Sequence, residues 1–174
     1  MQLFIGYEWF MSGLTKIVRS GFPPGLAFEQ KEKAEGAVSW YKSFLDRVVI
    51  PNATAFGLLV EIGELLIGTV MIAAAVIWLV RREQFSFGRQ TTILVTVAVA
   101  NLAGIFMNVN FHPANGSPHP WLIPKSGFDE DVYLDSLMPA IQLILVGVSI
   151  RLLLLSRHRS SGVATDDVPA AHDV

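Results

Sequence analysis

Hydrophobic residues along the chain are gathered into four long runs, and the segments between the runs hold most of the charged residues. The runs cover residues 1–18, 53–80, 91–109 and 132–155. A helix needs about 20 apolar residues to cross the hydrocarbon core of a bilayer, and such uninterrupted runs lack the alternation of barrel strands. The pattern therefore predicts an all-α integral membrane protein, a four-helix bundle.

The first run is the shortest of the four. At about 1.5 Å per residue its helix reaches only ~27 Å, which is barely the thickness of the hydrocarbon core. We therefore expect this helix to stand upright in the membrane, or the true start of the protein to lie upstream of Met1.

The segment between the first two runs is predicted to add an amphipathic helix over residues 27–49. It begins with the helix-breaking sequence Gly21-Phe-Pro-Pro-Gly25, and charged and apolar residues are mixed in the part that follows. Such a helix either lies in the membrane interface, with Trp and Tyr at headgroup level, or packs on the rim of the bundle. The apolar residues that recur at helical spacing and would form its single stripe are Trp40, Tyr41, Phe44, Leu45 and Val48.

Basic residues cluster after the second run, at 81–89, and at the end of the fourth, at 151–159. Because positively charged segments tend to stay in the cytoplasm, both ends of the chain are predicted to be cytoplasmic in a multi-pass protein of the cell membrane. The membrane domain is predicted to cover residues 1–156. Residues 157–174 are polar and are predicted to form a disordered cytoplasmic tail.

Each run also carries polar or small residues that fall on one side of a helix. Such a stripe has to be kept from lipid, and a bundle with all four stripes facing inward satisfies them together. The residues are Glu8, Ser12 and Thr15 in the first run, Gly57, Glu61, Glu64 and Gly68 in the second, Asn101, Gly104 and Asn108 in the third, and Asp135, Pro139, Gln142 and Ser149 in the fourth.

The glutamates Glu8, Glu61 and Glu64 are the most informative of these residues. A carboxyl group at bilayer depth costs roughly 2.5–3.5 kcal/mol on insertion scales, whereas close packing needs only small and amide residues. We therefore take them as candidates for proton exchange or ligand binding, and Glu61 and Glu64, one turn apart, could share a proton. Lys16, two turns beyond Glu8, is expected to extend to the headgroups or to pair with an acidic loop residue.

Composition narrows the chemistry. Only 16% of the 174 residues are charged, against about a quarter in soluble domains, and the net charge of −2 gives no support for nucleic-acid binding. The absence of cysteine excludes disulfides, thiolate nucleophiles, iron–sulfur clusters and cysteine-ligated zinc. His112 and His119 lack the spacing of a metal site, so neither a metal nor a covalent cofactor is expected.

Two motifs resemble the DoxX/DoxD family of small four-helix membrane proteins. The first helix contains Gly6-Tyr-Glu-Trp-Phe-Met-Ser-Gly-Leu-Thr-Lys16 and so ends in a Gly-x-x-Lys-like turn. After a long loop and Pro51, the second contains Gly63-Glu64-Leu-Leu-Ile-Gly68, a Gly-Glu-x-x-x-Gly pattern. The resemblance covers roughly residues 3–155, and outside these motifs it consists largely of hydropathy and helix number.

The resemblance implies a membrane subunit of a quinone-linked oxidoreductase, of the thiosulfate:quinone type. Since the chain has no evident redox ligand, it would house a quinone rather than carry a redox centre. The alternative is a non-catalytic accessory subunit that packs against a larger membrane complex, and a small-molecule transporter is a third, weaker interpretation. In the quinone interpretation Glu64, Glu61 and Glu8 exchange protons, and Trp9, Asn101 or Asn108 hold the ring.

Overall fold

The computed structural model describes residues 1–19, 21–81, 84–114 and 134–163. Within these ranges every regular element is helical and there is no β-strand, which confirms the all-α prediction. The α-helices are α1 (Gln2–Arg19), α2 (Phe22–Lys33), α3 (Ser39–Phe44), α4 (Ala53–Arg81), α5 (Phe87–Ala114) and α6 (Leu134–Val163).

Three helical segments of the described chain are long and apolar enough to cross a membrane. They are Ser39–Arg81, Phe87–Ala114 and Leu137–Arg157, and they contain the second and third hydrophobic runs and most of the fourth. The first run forms α1, which is not among these candidate spans. Length and composition thus support a membrane protein, and the predicted fourth crossing by α1 stays a prediction.

Helix α1 packs along α4 in the antiparallel direction, and glycines allow the two backbones to approach. A Cβ on Gly6 would lie 3.0 Å from atoms of Met71 and Ile72, and one on Gly13 would lie 2.7 Å from the backbone nitrogen of Leu65. Small residues at helix interfaces permit such close contacts in membranes. The antiparallel alignment therefore places the end of α1 beside the middle of α4.

The core draws residues from all four long helices. Helices α5 and α6 make extensive contact, and the Nδ2 of Asn108 donates a hydrogen bond to the Oε1 of Gln142 over 3.2 Å. Gly63 on α4 contacts the sulfur of Met107 on α5, where a Cβ would meet it at 3.3 Å. The central apolar cluster contains Ile5 and Trp9 from α1, Ile67 and Met71 from α4, Ala100 from α5 and Met138 from α6.

The segment before α4 differs from its prediction. Gly21-Phe-Pro-Pro-Gly25 does not keep the chain from folding into a helix, because Pro23 and Pro24 lie in the first turn of α2, where backbone N–H groups have no intrahelical acceptor. The single helix predicted over 27–49 is also wrong. It is interrupted between Lys33 and Ser39, and α3 continues through a π-helical turn (Leu45–Val49) and a 3-10 turn (Ile50–Asn52) directly into α4.

The predicted apolar stripe of this segment divides between two faces. Tyr41, Leu45 and Val49 are buried and form a cluster with Ala114 at the end of α5. The hydroxyl of Tyr41 donates a hydrogen bond to the backbone oxygen of Asn110 over 2.9 Å, which ties the segment to α5. The other apolar residues, Trp40, Phe44 and Val48, are exposed. One face thus packs on a neighbouring helix, and the other presents aromatic and aliphatic surface outward.

Two predictions fall largely outside the described residues. Helix α6 ends at Val163, within the segment predicted as a disordered tail, and residues 164–174 lie beyond the described chain. The loop with His119 likewise lies outside it.

Candidate functional site

An ion pair joins α1 to α4. The Nζ of Lys16 lies 2.5 Å from the Oε2 and 2.6 Å from the Oε1 of Glu64. Glu64 is only 1% exposed, whereas the side chain of Lys16 is 23% exposed. The expectation that Lys16 reaches the headgroups or a loop acid is therefore wrong, because a membrane-segment carboxylate lies within its reach.

The close packing of α1 on α4 explains how this pair forms. Gly13 lies one turn before Lys16 and contacts the backbone of α4, where its Cβ would be 3.0 Å from the carbonyl oxygen of Glu61. The ammonium of Lys16 also donates a hydrogen bond to the Oγ of Ser12 over 3.0 Å and lies 5.1 Å from the centre of the Phe22 ring. A carboxylate, a hydroxyl and an aromatic face thus surround one cation.

A pocket of about 240 Å³ adjoins this ion pair, and we call it the polar pocket. Trp9 is one of its lining residues, and the indole N–H of Trp9 is buried without a hydrogen-bond partner. The residues that line the polar pocket are Glu8, Trp9, Ser12, Lys16, Glu64, Asn108, Phe111 and Met138.

The structure brings four of the six predicted site residues together. Glu8, Trp9, Glu64 and Asn108 share the polar pocket, although they come from three different helices. Their polar stripes therefore converge on one interior space, as the spacing along each run predicts. Glu8 is half-buried, so this carboxyl group retains some contact with the surroundings of the protein.

Glu61 and Asn101 are buried but are not part of this lining. The Oε1 of Glu61 has no hydrogen-bond partner, and both oxygens of Glu64 accept from Lys16. Glu64 thus has Lys16 as its observed partner, and the sharing of a proton between the two glutamates stays a prediction. Asn101 is fully buried and donates to the backbone oxygen of Val97 over 2.9 Å, which is a packing contact within α5.

A second, larger space of about 510 Å³ lies on the other side of Lys16, and we call it the apolar cavity. Its walls come from α2, the 39–49 segment, α4 and α5, and it shares Lys16 and Phe111 with the polar pocket. Sequence reasoning missed Lys16, Gln30 and Phe111 as site residues. For Lys16 the sequence does indicate a role. Its charge is opposite to that of Glu64, and both residues lie close to a glycine, Gly13 and Gly63, on their helices.

No group of three or more His, Asp or Glu side chains suited to a metal ion occurs among the described residues. His112 is buried in α5 and does not belong to such a group.

Comparisons of the chain with protein-family models, with curated proteins and with solved structures find no match. The resemblance to the DoxX/DoxD family therefore stays a prediction, and the geometry carries the functional argument.

Proposed function

We propose that the protein is a DoxX/DoxD-like membrane subunit of a quinone-linked oxidoreductase, in which the polar pocket is a quinone and proton-exchange site. The observation that carries this proposal is the ion pair between Lys16 and Glu64. It joins the Gly-x-x-Lys turn of α1 to the Gly-Glu-x-x-x-Gly motif of α4, beside the unpartnered N–H of Trp9.

In this proposal α1, α4, α5 and α6 cross the cell membrane as a four-helix bundle with both termini in the cytoplasm. The close contact of α1 with α4 supports a crossing by α1, because an ion pair with a mid-helix residue of α4 places α1 at the same depth. Four crossings return the chain to the side where it began. The basic residues Arg81, Arg89, Arg151 and Arg157 favour the cytoplasm for that side. The exposed aromatic residues Phe28 and Trp40 suit the membrane interface.

The residues of the polar pocket fit a quinone ring. A quinone carbonyl is a hydrogen-bond acceptor, and the buried N–H of Trp9 lacks an acceptor. The pocket, at about 240 Å³, suits a ring rather than a whole isoprenoid molecule. Asn108, whose amide already donates to Gln142, would hold the wall in place.

When bound, a quinone would supply the electron-accepting group for a partner subunit that oxidises a donor such as thiosulfate, and titratable groups of the pocket would supply the protons. The Nζ of Lys16 lies 2.5 and 2.6 Å from the two carboxylate oxygens of Glu64, which are hydrogen-bonding distances, so a proton would pass directly between the two side chains. Glu8 lies in the same pocket and is half-buried, so it would return a proton to Lys16–Glu64 from outside.

The proposal is tested by thiosulfate-dependent quinone reduction in membrane vesicles that contain the native partner subunits. Because a positioned acid or base contributes about 100-fold or more to a rate, Glu64→Gln is expected to lower the rate by at least about that factor at normal protein abundance. Trp9→Phe is expected to raise the quinone concentration needed for half-maximal rate by about tenfold, through loss of one hydrogen bond to the bound ring.

Glu32→Gln is the matched control for this assay, because Glu32 is an exposed glutamate of α2 and should leave the rate unchanged. An unchanged rate in Glu64→Gln, with the protein present at normal abundance, would remove the proton-exchange role.

A second candidate function is that of a non-catalytic accessory subunit of a larger membrane complex. The same ion pair favours it, because two oppositely charged residues on closely packed helices also fix the position of α1 on α4. In that case Glu64→Gln is expected to release co-purifying subunits, while any activity scales with the amount of assembled complex.

A further inference from the structure

The apolar cavity has the size and the lining of a small-molecule site. Its volume of about 510 Å³ falls within the roughly 300–1,000 Å³ of typical ligand pockets. Aromatic and aliphatic side chains form most of its wall, among them Phe22, Leu26, Leu45 and Phe56. Cavities of this kind bind the apolar body of a ligand, and a few polar groups set its orientation.

Some of the apolar residues that line the cavity are exposed to the surroundings of the protein. Leu59 and Phe106 both line the cavity and are 67% and 70% exposed, and Phe44 is exposed beside them. All three lie within candidate membrane spans. These residues would give a ligand an entrance from the lipid phase.

The charges at the cavity wall are already compensated within the protein. Lys16 is paired with Glu64, and Glu29 accepts from Lys33 over 2.6 Å. Burying an ionised ligand against such neutralised pairs would cost desolvation energy without a counter-charge. The site therefore selects an uncharged molecule.

Two of the residues that line the cavity have a side-chain oxygen that can accept a further hydrogen bond. Gln30 is 8% exposed, and its Oε1 is buried with no partner. The hydroxyl of Tyr41 donates to Asn110, so its oxygen can still accept a hydrogen bond. Since a buried acceptor without a partner is costly, a donor on the ligand would be stabilised here.

We propose that the apolar cavity is a second binding site, separate from the polar pocket, for an uncharged membrane-soluble molecule that carries a hydroxyl group, such as a lipid alcohol or phenol. The hydroxyl donates to the Oε1 of Gln30, and the apolar body fills the space between α2 and α5. This site follows from its own geometry and does not depend on the proposed quinone function.

The test uses two photoreactive probes, a diazirine-bearing dodecanol and its methyl ether, on the full chain in phosphatidylcholine nanodiscs. The ether has nearly the same apolar body but no donor. Crosslinked residues are identified by mass spectrometry, and labelling is normalised to Leu143 and Ile144, which are exposed on α6 and report simple partitioning into lipid. The alcohol is expected to label the cavity wall about tenfold more than the ether does.

Gln30→Leu is expected to remove this preference by lowering the labelling by the alcohol to that by the ether, while the ether labelling stays unchanged. Gln84→Leu, at an exposed glutamine, is the matched control and should keep the preference. Equal labelling by both probes in the unaltered protein would overturn the proposal, as would labelling confined to lipid-exposed residues. Because that comparison uses the unaltered protein, it decides the question even if Gln30→Leu does not fold.

Discussion

Replacing Lys16 with methionine is expected to lower the free energy of unfolding by about 3–5 kcal/mol, the cost of removing one partner of a buried ion pair. Glu64 is 1% exposed and has both carboxylate oxygens within 2.6 Å of the Lys16 ammonium, so the substitution leaves a buried carboxylate without its cation. Because the chain has no cysteine, Ala74→Cys, at a buried position, supplies a reporter. Its maleimide labelling during a titration from mild detergent into dodecyl sulfate measures the unfolding.

Three companion variants make this prediction specific. Glu64→Met should lower the free energy of unfolding by less than Lys16→Met does. The side chain of Lys16 is already 23% exposed, and its flexible aliphatic chain can move the ammonium into solvent. Combining both substitutions should restore most of the stability, since an apolar pair of similar volume replaces a buried ion pair at little cost. Lys33→Met is the control. It breaks the exposed pair with Glu29 and should change the free energy by less than about 1 kcal/mol.

The double variant also separates the two candidate functions. If Lys16 and Glu64 only fix α1 on α4, a stable protein with methionine at both positions should still assemble with its partners and support full activity. If they exchange protons with a quinone, the stable double variant should be inactive, because no titratable group remains at the ion-pair position. Full quinone-reducing activity in the double variant would therefore contradict the proton-exchange function.

The long apolar helices could be predicted from this sequence more reliably than the shorter helices before α4. The three later hydrophobic runs correspond to α4, α5 and α6, since an uninterrupted apolar run of that length has few alternatives. The segment before α4 could not be predicted as well. Proline prevents a helix only away from its first turn, and the sequence does not show that Pro23 lies within that turn.

The sequence predicts several residues of the candidate site, but it does not predict which of them form an ion pair. Spacing placed Glu8, Glu64 and Asn108 on inward stripes, and they do line one pocket. Periodicity defines a face of a helix, but it does not give the depth at which two antiparallel helices are aligned. That alignment, set by the glycine contacts of α1 with α4, brings Lys16 to Glu64 and leaves Glu61 outside the pocket lining.

Replacing Gly68 with alanine is expected to destabilise the protein by about 1–3 kcal/mol, the usual cost of overpacking a tight contact. A Cβ at this position would lie 2.6 Å from the Cα of Phe10, and this backbone neighbour cannot move aside as a flexible side chain can. Helix α1 would have to withdraw from α4, which would stretch the ion pair of Lys16 and Glu64. We therefore expect the double variant of Gly68→Ala and Lys16→Met to lose less free energy of unfolding than the sum of the losses of the two single variants.

Gly147→Ala is the matched control for this variant, because the same methyl group is added within α6 where nothing lies within 4 Å. Since alanine favours a helix over glycine by about 1 kcal/mol, this control should leave the stability unchanged or raise it. The same cysteine reporter measures both variants. Equal stability of Gly68→Ala and Gly147→Ala would mean that α1 does not approach α4 closely enough at Phe10 to fix its depth. A membrane crossing of α1 beside α4 would then rest on the ion pair of Lys16 and Glu64 without this glycine contact.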